Sequence, residues 1–301
     1  MTLRVTQGMM HMQLMRNLNR NMNQMSELQN QTATGRKINK PSDDPVGITY
    51  SVRYRSELAA NEQYTKNVDM ALSWLDYNDT VLGQAGEVLK RVKELAVQGA
   101  NGTNSQVSLD SIKNEMIQLK NQLVDIANSK FNGKYVFNGE NYDQVPYDKT
   151  NPRSSETDTG IINYSVGVNM TMDINFTGNK VFGPEDPEGT TDNMFSVLDR
   201  VIKALEDGVH DDVEAEFTHI DTNINRILNV RAEVGARTNR VELLQNRLAD
   251  FKINLTDMQS KTEDADYEKL LIDAQINENI YQASLSVGAK IVSKSLVDFL
   301  S

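Results

Sequence analysis

The chain contains no cysteine, which removes disulfides and thiolate metal sites from consideration and leaves the redox compartment unmarked. No run of 18 apolar residues occurs, so no segment reads as a bilayer span. Basic residues are outnumbered, 31 Lys and Arg against 42 Asp and Glu, for a net charge of −11. Nucleic acid and anionic membrane both attract Lys/Arg-rich faces, and neither is expected as a partner. Met1 to Met25 lacks the uninterrupted apolar core of a cleavable secretion signal.

Catalytic patterns are equally scarce. His11, His210 and His219 have no cysteine partners and no metal-binding spacing. Asp43 and Asp44 read as a helix cap, and Asp211, Asp212, Glu214 and Glu216 as acids favoured by a helix start. Glu185, Asp186 and Glu188 lack the regular ligand spacing of a calcium loop. Neither a phosphate-cradling glycine loop nor a nucleophile motif is present. The expectation is a non-enzyme without cofactor or metal.

What the chain does have is a seven-residue repeat. Val213, Ile220, Ile227, Val234, Val241, Leu248 and Leu255 stand at that interval, and only an α-helix returns a residue to nearly the same azimuth so often. At 1.5 Å per residue the seam would be roughly 64 Å long. A second row follows it by four residues at Phe217 and Ile224, then by three at Val230, Leu244, Phe251 and Met258. Such drift implies a change of packing neighbour along the helix.

Partner helices can be placed by the same period. Ser42-Asp43-Asp44-Pro45 is a start signal, an acidic cap with proline at the first helical position. Behind it Val68, Leu75, Leu82, Leu89 and Ala96 repeat every seven residues, flanked by Ala71, Ala85 and Val92. Asn101-Gly102-Thr103-Asn104 then permits a reversal into Leu109, Ile112, Met116, Leu119, Leu123 and Ile126. These helices can return antiparallel against the long seam.

Between the helical halves the period changes. Lys134 to Phe137 lies between two Asn-Gly turn signals, and Ile162 to Phe176 alternates at period two, with Gly167 and Asn169 as turn residues. Residues 133–190 read as a small inserted β domain. At the ends, Met15, Leu18, Met22 and Met25 form a stripe on an asparagine-rich helix of weak propensity. Leu271, Ile280, Leu285, Ile291 and Leu296 belong to a wider stripe running to the last residues. These two faces are the expected assembly interface, pairing with each other and with copies of the chain.

Five segments in order carry a family resemblance. Thr34-Gly35-Arg36-Lys37-Ile38-Asn39 with Pro41-Ser42-Asp43-Asp44-Pro45-Val46-Gly47, Leu95 to Thr103, Phe131-Asn132-Gly133, Arg231 to Arg240, and Thr262-Glu263-Asp264-Ala265-Asp266-Tyr267 resemble the signatures of bacterial flagellins and their hook-associated relatives. The resemblance covers both helical halves. Flagellins typically carry alanines around the Asp-Asp pair and end in a leucine-rich tail closed by arginine; here the pair lies in Pro41 to Pro45 and the chain ends Val297-Asp298-Phe299-Leu300-Ser301. The segment Thr177 to Gly183 also resembles the hook-associated branch.

That branch implies a minor structural subunit in the extracellular flagellum, set as a ring of copies between hook and filament. It also implies a neighbouring hook-associated protein, flagellin and a flagellar export chaperone as partners, and type III export. A flagellin proper, the bulk filament subunit, is the alternative; a coiled-coil signalling or adhesion protein is more distant.

The expected fold is mainly α: a long antiparallel helical bundle or coiled-coil rod with a small inserted β domain. Residues 1–40 and 263–301 form the terminal assembly region, 41–132 and 191–262 the rod, and 133–190 the insert. The rod core is expected to comprise Val68, Leu75, Leu82, Leu89, Ile220, Ile227, Val234, Val241, Leu248 and Leu255. The terminal helices, marginal alone, are expected to lack order in the monomer and gain it when neighbours bury their stripes. In limited proteolysis and amide exchange of the monomer, residues up to about 40 and beyond about 263 should react first; uniform protection would contradict assembly-coupled ordering.

Overall fold

Capping chemistry sets the main helix boundaries. The structure, a computed structural model, describes residues 7–300, with side chains over 8–290. Helix α1 spans Gln7–Thr34, α2 Pro45–Gly99 and α3 Gln106–Ala127. Asp44 caps α2, its carboxylate accepting the amides of Val46 and Gly47 at 3.0 and 2.9 Å, with Pro45 in the first turn where no N–H is needed. Ser105 caps α3 in the same manner.

Short elements follow: β1 (Lys130–Phe131), β2 (Lys134–Tyr135), β3 (Asn163–Gly167), β4 (Met170–Asp173), α4 (Gly178–Phe182), α5 (Met194–Asp207) and α6 (His210–Ala215). Two long helices end the chain, α7 (Phe217–Glu263) and α8 (Tyr267–Leu300). Asn193 caps α5 through the amide of Phe195, and Gly208, in the left-handed region at φ 70°, closes it. The chain divides into two compact units, residues 61–250 and residues 1–60 with 251–301.

In the 61–250 unit, α2 and α7 run antiparallel. Val68, Leu75, Leu82 and Leu89 are buried, as are Ile220, Ile227, Val234, Val241 and Leu248. Cross-ties hold the register at the edges of this apolar seam. Arg231 forks onto Asp79 at 2.9 and 3.0 Å, Lys93 pairs with Asp221 at 2.6 Å, and Gln245 donates to Asp69 at 2.7 Å. The seam also contains an amide: buried Asn61, seven residues before Val68, donates to the Leu248 carbonyl at 3.1 Å. A polar group at such a position selects register at some cost in stability.

The seven-membered ladder does not lie on one helix. Val213 is buried but belongs to α6, and the helix is interrupted at Glu216 before α7 begins. The Glu216 carboxylate is held by the Arg200 guanidinium of α5 at 2.7 and 2.9 Å. This non-local fork marks the interruption, and α6 lies against α5.

The 133–190 segment also differs from a separate β domain. Its strands lie in two hairpins, β2 with β1 just ahead of the segment and β3 with β4. The first turns through Asn132 and Gly133, both at positive φ, the second through Val168 and Asn169. Most of the segment is irregular, and its side chains complete the helical core. Phe182 packs against Phe137, Tyr147 and Phe195 of α5, and Tyr147 also meets Phe195, centroids 5.1 to 5.7 Å apart. Asp186 ties the loop before α5, accepting the amides of Gly189 and Thr191 at 2.9 Å each. Burial opposes its charge, but the Thr191 amide first, then the Ser196 and Thr191 side chains and the Thr190 amide, hold the carboxyl down at about 2.

Ile227 is 1% exposed, whereas its neighbour Leu228 is 52% exposed. Ile227→Ala should therefore lower the stability of the 61–250 unit by about 2–4 kcal/mol. Leu228→Ala should stay within about 0.5 kcal/mol by denaturant titration. Equal effects would mean the seam is not core.

Candidate assembly interface

In the unit formed by residues 1–60 and 251–301, the turn after α1 is clipped to the junction of α7 and α8. Arg36 and Asp264 form an antiparallel bridge, the Lys37 amide donates to the Glu263 carbonyl at 2.8 Å, and the Ala265 amide donates to the Gly35 carbonyl at 3.0 Å. Gly35 sits at φ 70°, a conformation that favours glycine. The Tyr267 hydroxyl closes the clip on the Thr32 carbonyl at 2.9 Å.

The side chain of Glu263 is the hub of this junction, 1% exposed. Its carboxylate accepts from Arg55 Nε at 2.8 Å and from the Ser51 hydroxyl, with Arg36 Nε at 3.4 Å. Burial on its own would raise the Glu263 carboxyl; the Arg55 and Ser51 hydrogen bonds and the Arg55 and Arg36 charges outweigh it and hold it below the usual carboxylate range. Farther along the same turn, Asp43 accepts the amides of Lys40 and Asn39 at 2.8 and 3.0 Å. Ile38 is buried against Gly47, where a Cβ would stand 2.6 Å from Ile38 Cδ1.

From this clip α1 and α8 run antiparallel as a pair within one chain. The half-buried residues of α1 recur at Leu14, Leu18, Asn21, Met25, Leu28 and Thr32, alternating steps of four and three that make a coiled-coil seam. On α8 the matching row is Leu270, Ala274, Asn277, Tyr281, Ser284 and Gly288. Leu14 fills the space a side chain would need at residue 288, its Cδ2 lying 2.8 Å from where that Cβ would be. Asn21 and Ser284 meet across the pair at 3.5 Å.

The expected interface residues divide between this seam and the outside. Leu18 and Met25 lie in the seam, whereas Met15 and Met22 are 48% and 51% exposed on the flank of α1. Leu271, Ile280 and Leu285 are exposed on α8, accompanied by Ile272, Ile276 and Val287. Ile291 and Leu296 lie outside the described side chains. Leu255 of the expected rod core is buried in this unit, but Phe251 and Met258 of the drifting second row are exposed, a correction to their reading as internal packing. Val46, Tyr50 and Val52 on the first turns of α2 are exposed as well. The seam residues Ala274, Ser284 and Gly288 escape a search for apolar stripes; their seven-residue-compatible spacing was the available signal.

Among the described residues, no three His, Cys, Asp or Glu side chains gather as a metal site, and no helix is long and apolar enough to cross a membrane. The Nδ1 of His210 contacts the Gly99 carbonyl at 3.0 Å, and His219 pairs with Asp192. The surface feature with chemical consequence is the uncovered apolar area of the helical ends.

Comparison with known proteins agrees with this architecture. Residues 5–142 match the bacterial flagellin N-terminal helical region, and residues 217–300 match the flagellin C-terminal helical region. The chain belongs to the flagellin family of bacterial flagellar structural proteins. Within it, the chain is 27% identical to flagellar hook-associated protein 3 of Escherichia coli (strain K12), over 94% of this chain and 95% of that one. It is 28% identical to a flagellin of Bacillus subtilis (strain 168), over 86% of each. In fold it is similar to the crystal structure of flagellar hook-associated protein 3 from Legionella pneumophila. That match has a TM-score of 0.62 at 17% identity and covers 69% of this chain and 97% of that one.

The Glu263 hub predicts an acid-sensitive clip. With its folded pKa below the unfolded value of about 4.3, its contribution is present above that value and disappears as pH falls through the folded pKa. Glu263→Gln should destabilise the clip by about 1–3 kcal/mol near neutral pH. The readout is faster exchange of the Lys37 and Ala265 amides and a flatter acid limb; unchanged exchange at pH 7 would refute the hub role.

Proposed function

We propose that this protein is a structural subunit of the hook–filament junction, joining the hook side to the flagellin filament through its terminal helices. The observation that carries the reading is the row of aliphatic and methionine side chains left exposed along the α1–α8 pair, in a chain of the flagellin family whose relative over nearly its whole length is hook-associated protein 3. Apolar surface of that extent gains about 25 cal/mol per Å² when covered. A head-to-tail contact between copies would cover it and generate a ring or helical layer. The net charge of −11 keeps unassembled copies apart.

Further parts of the reading rest on the family resemblance. The subunit is exported through the flagellar type III channel, escorted by an export chaperone, and resides outside the cell between a neighbouring hook-associated protein and flagellin. The likeness to the Bacillus subtilis flagellin supports a second reading, a bulk filament subunit. Abundance separates the two: a junction subunit is a trace component of isolated flagella, a filament subunit the main one. Deleting the gene should leave complete hooks with flagellin secreted but unassembled, by electron microscopy and immunoblot of the medium. Loss of the filament protein itself would favour the flagellin reading.

A further inference from the structure

The exposed apolar surface of the α1–α8 pair is chemically asymmetric. Among the described side chains of α8, beyond Tyr267 at the clip, it consists of Leu271, Ile272, Ile276, Ile280, Leu285 and Val287, hydrocarbons inert to mild oxidants. On α1 it consists of Met9, Met10, Met12, Met15 and Met22, 39% to 61% exposed. Met116, Met172 and Met194 of the 61–250 unit are buried at 2% or less. Two other methionines, Met70 and Met258, are also exposed, but the Met70 sulfur accepts the Tyr164 hydroxyl at 3.2 Å. The chain has no cysteine to intercept an oxidant.

We infer that the methionine face of α1 is an oxidation site that gates assembly: conversion of these thioethers to sulfoxides by a peroxide prevents the subunit from being incorporated. The inference rests on the junction reading, since it concerns the same helical ends. In the reaction, the thioether sulfur attacks the O–O bond of hydrogen peroxide. An S–O bond forms as the O–O bond breaks, and the departing hydroxide takes the proton from the sulfur-bound oxygen and leaves as water. Sulfur loses two electrons and the peroxide gains them. Each sulfoxide places a strongly polar S=O on a formerly apolar face. Covering it in a subunit contact then requires a hydrogen-bond donor for that oxygen or a desolvation penalty. Before assembly the face is open to the oxidant; once covered by a neighbour it is shielded.

The test uses the full-length protein and hooks isolated from a strain lacking its gene. Peroxide-treated and untreated protein are added, incorporation is scored by immunoblot, and peptide mass spectrometry locates the sulfoxides. The variants are M9L/M10L/M12L/M15L/M22L, conservative on an exposed helical face, and M70L/M258L as control, each checked for native circular dichroism. Sulfoxides should accumulate on α1 well before Met116, Met172 or Met194, and oxidised wild type and the control should lose at least fivefold in incorporation. The five-leucine variant, scored against its own untreated protein, should show no further loss under the same treatment. Undiminished incorporation of oxidised wild type, or equal loss in the five-leucine variant, overturns the inference while leaving the junction reading intact. Failure of untreated protein to join the hooks overturns the junction reading and the inference with it.

Discussion

The seven-residue apolar repeat shared by α2 and α7 is the constraint on which the 61–250 unit depends. Each helix alone presents a narrow stripe; set antiparallel, the stripes cover one another and align the ion pairs beside them. Arg231 meets Asp79 and Lys93 meets Asp221 because the apolar register puts them opposite, and the reverse does not hold: exposed pairs of this kind contribute little by themselves. The buried Asn61 amide on the Leu248 carbonyl resists sliding, since a shifted register would leave that amide without a partner.

In the other unit an electrostatic hub takes over the organising role. Glu263 gathers Arg36, Arg55 and Ser51 from two separate segments, where the end of α7, the start of α8 and the turn after α1 converge. Because it lies at the base of the α1–α8 pair, the direction in which the pair leaves the clip follows from a few hydrogen bonds. The pair itself is bound by a seam mixing leucines with Ala274, Ser284 and Gly288, less adhesive than the α2–α7 seam and bordered by uncovered apolar side chains.

The parts legible in the sequence were those governed by local rules. Asp44 and Pro45 announced the start of α2 because capping is decided within four residues. The rows from Val68 and Ile220 announced burial because a strict heptad has few other uses. Where distant residues decide, the reading missed. The interruption at Glu216 coincides with a grip by Arg200 from another helix, invisible to periodicity. The stripe Met15, Leu18, Met22 and Met25 straddles two surfaces, because α1 turns Leu18 and Met25, not the whole row, toward α8. The run from Ile162 to Phe176 alternates like a strand and turns at Asn169 as its sequence suggests, yet the end of the run leaves the hairpin and buries Phe176 in the helical core. Period two reports extended backbone but not what the side chains will pack on.

The aromatic cluster has a consequence for modularity. Tyr147 and Phe182 of the inserted segment cover Phe195 of α5, with Phe137 behind Phe182, so the segment works as a lid on the helical core. A module with its own core can be exchanged or lost with little effect on its host; a lid cannot. Substitutions in this segment are therefore best tolerated in its outward loops, around Val145, Ile161 and Val168, while a change in the rings beneath must be matched by the helix they cover.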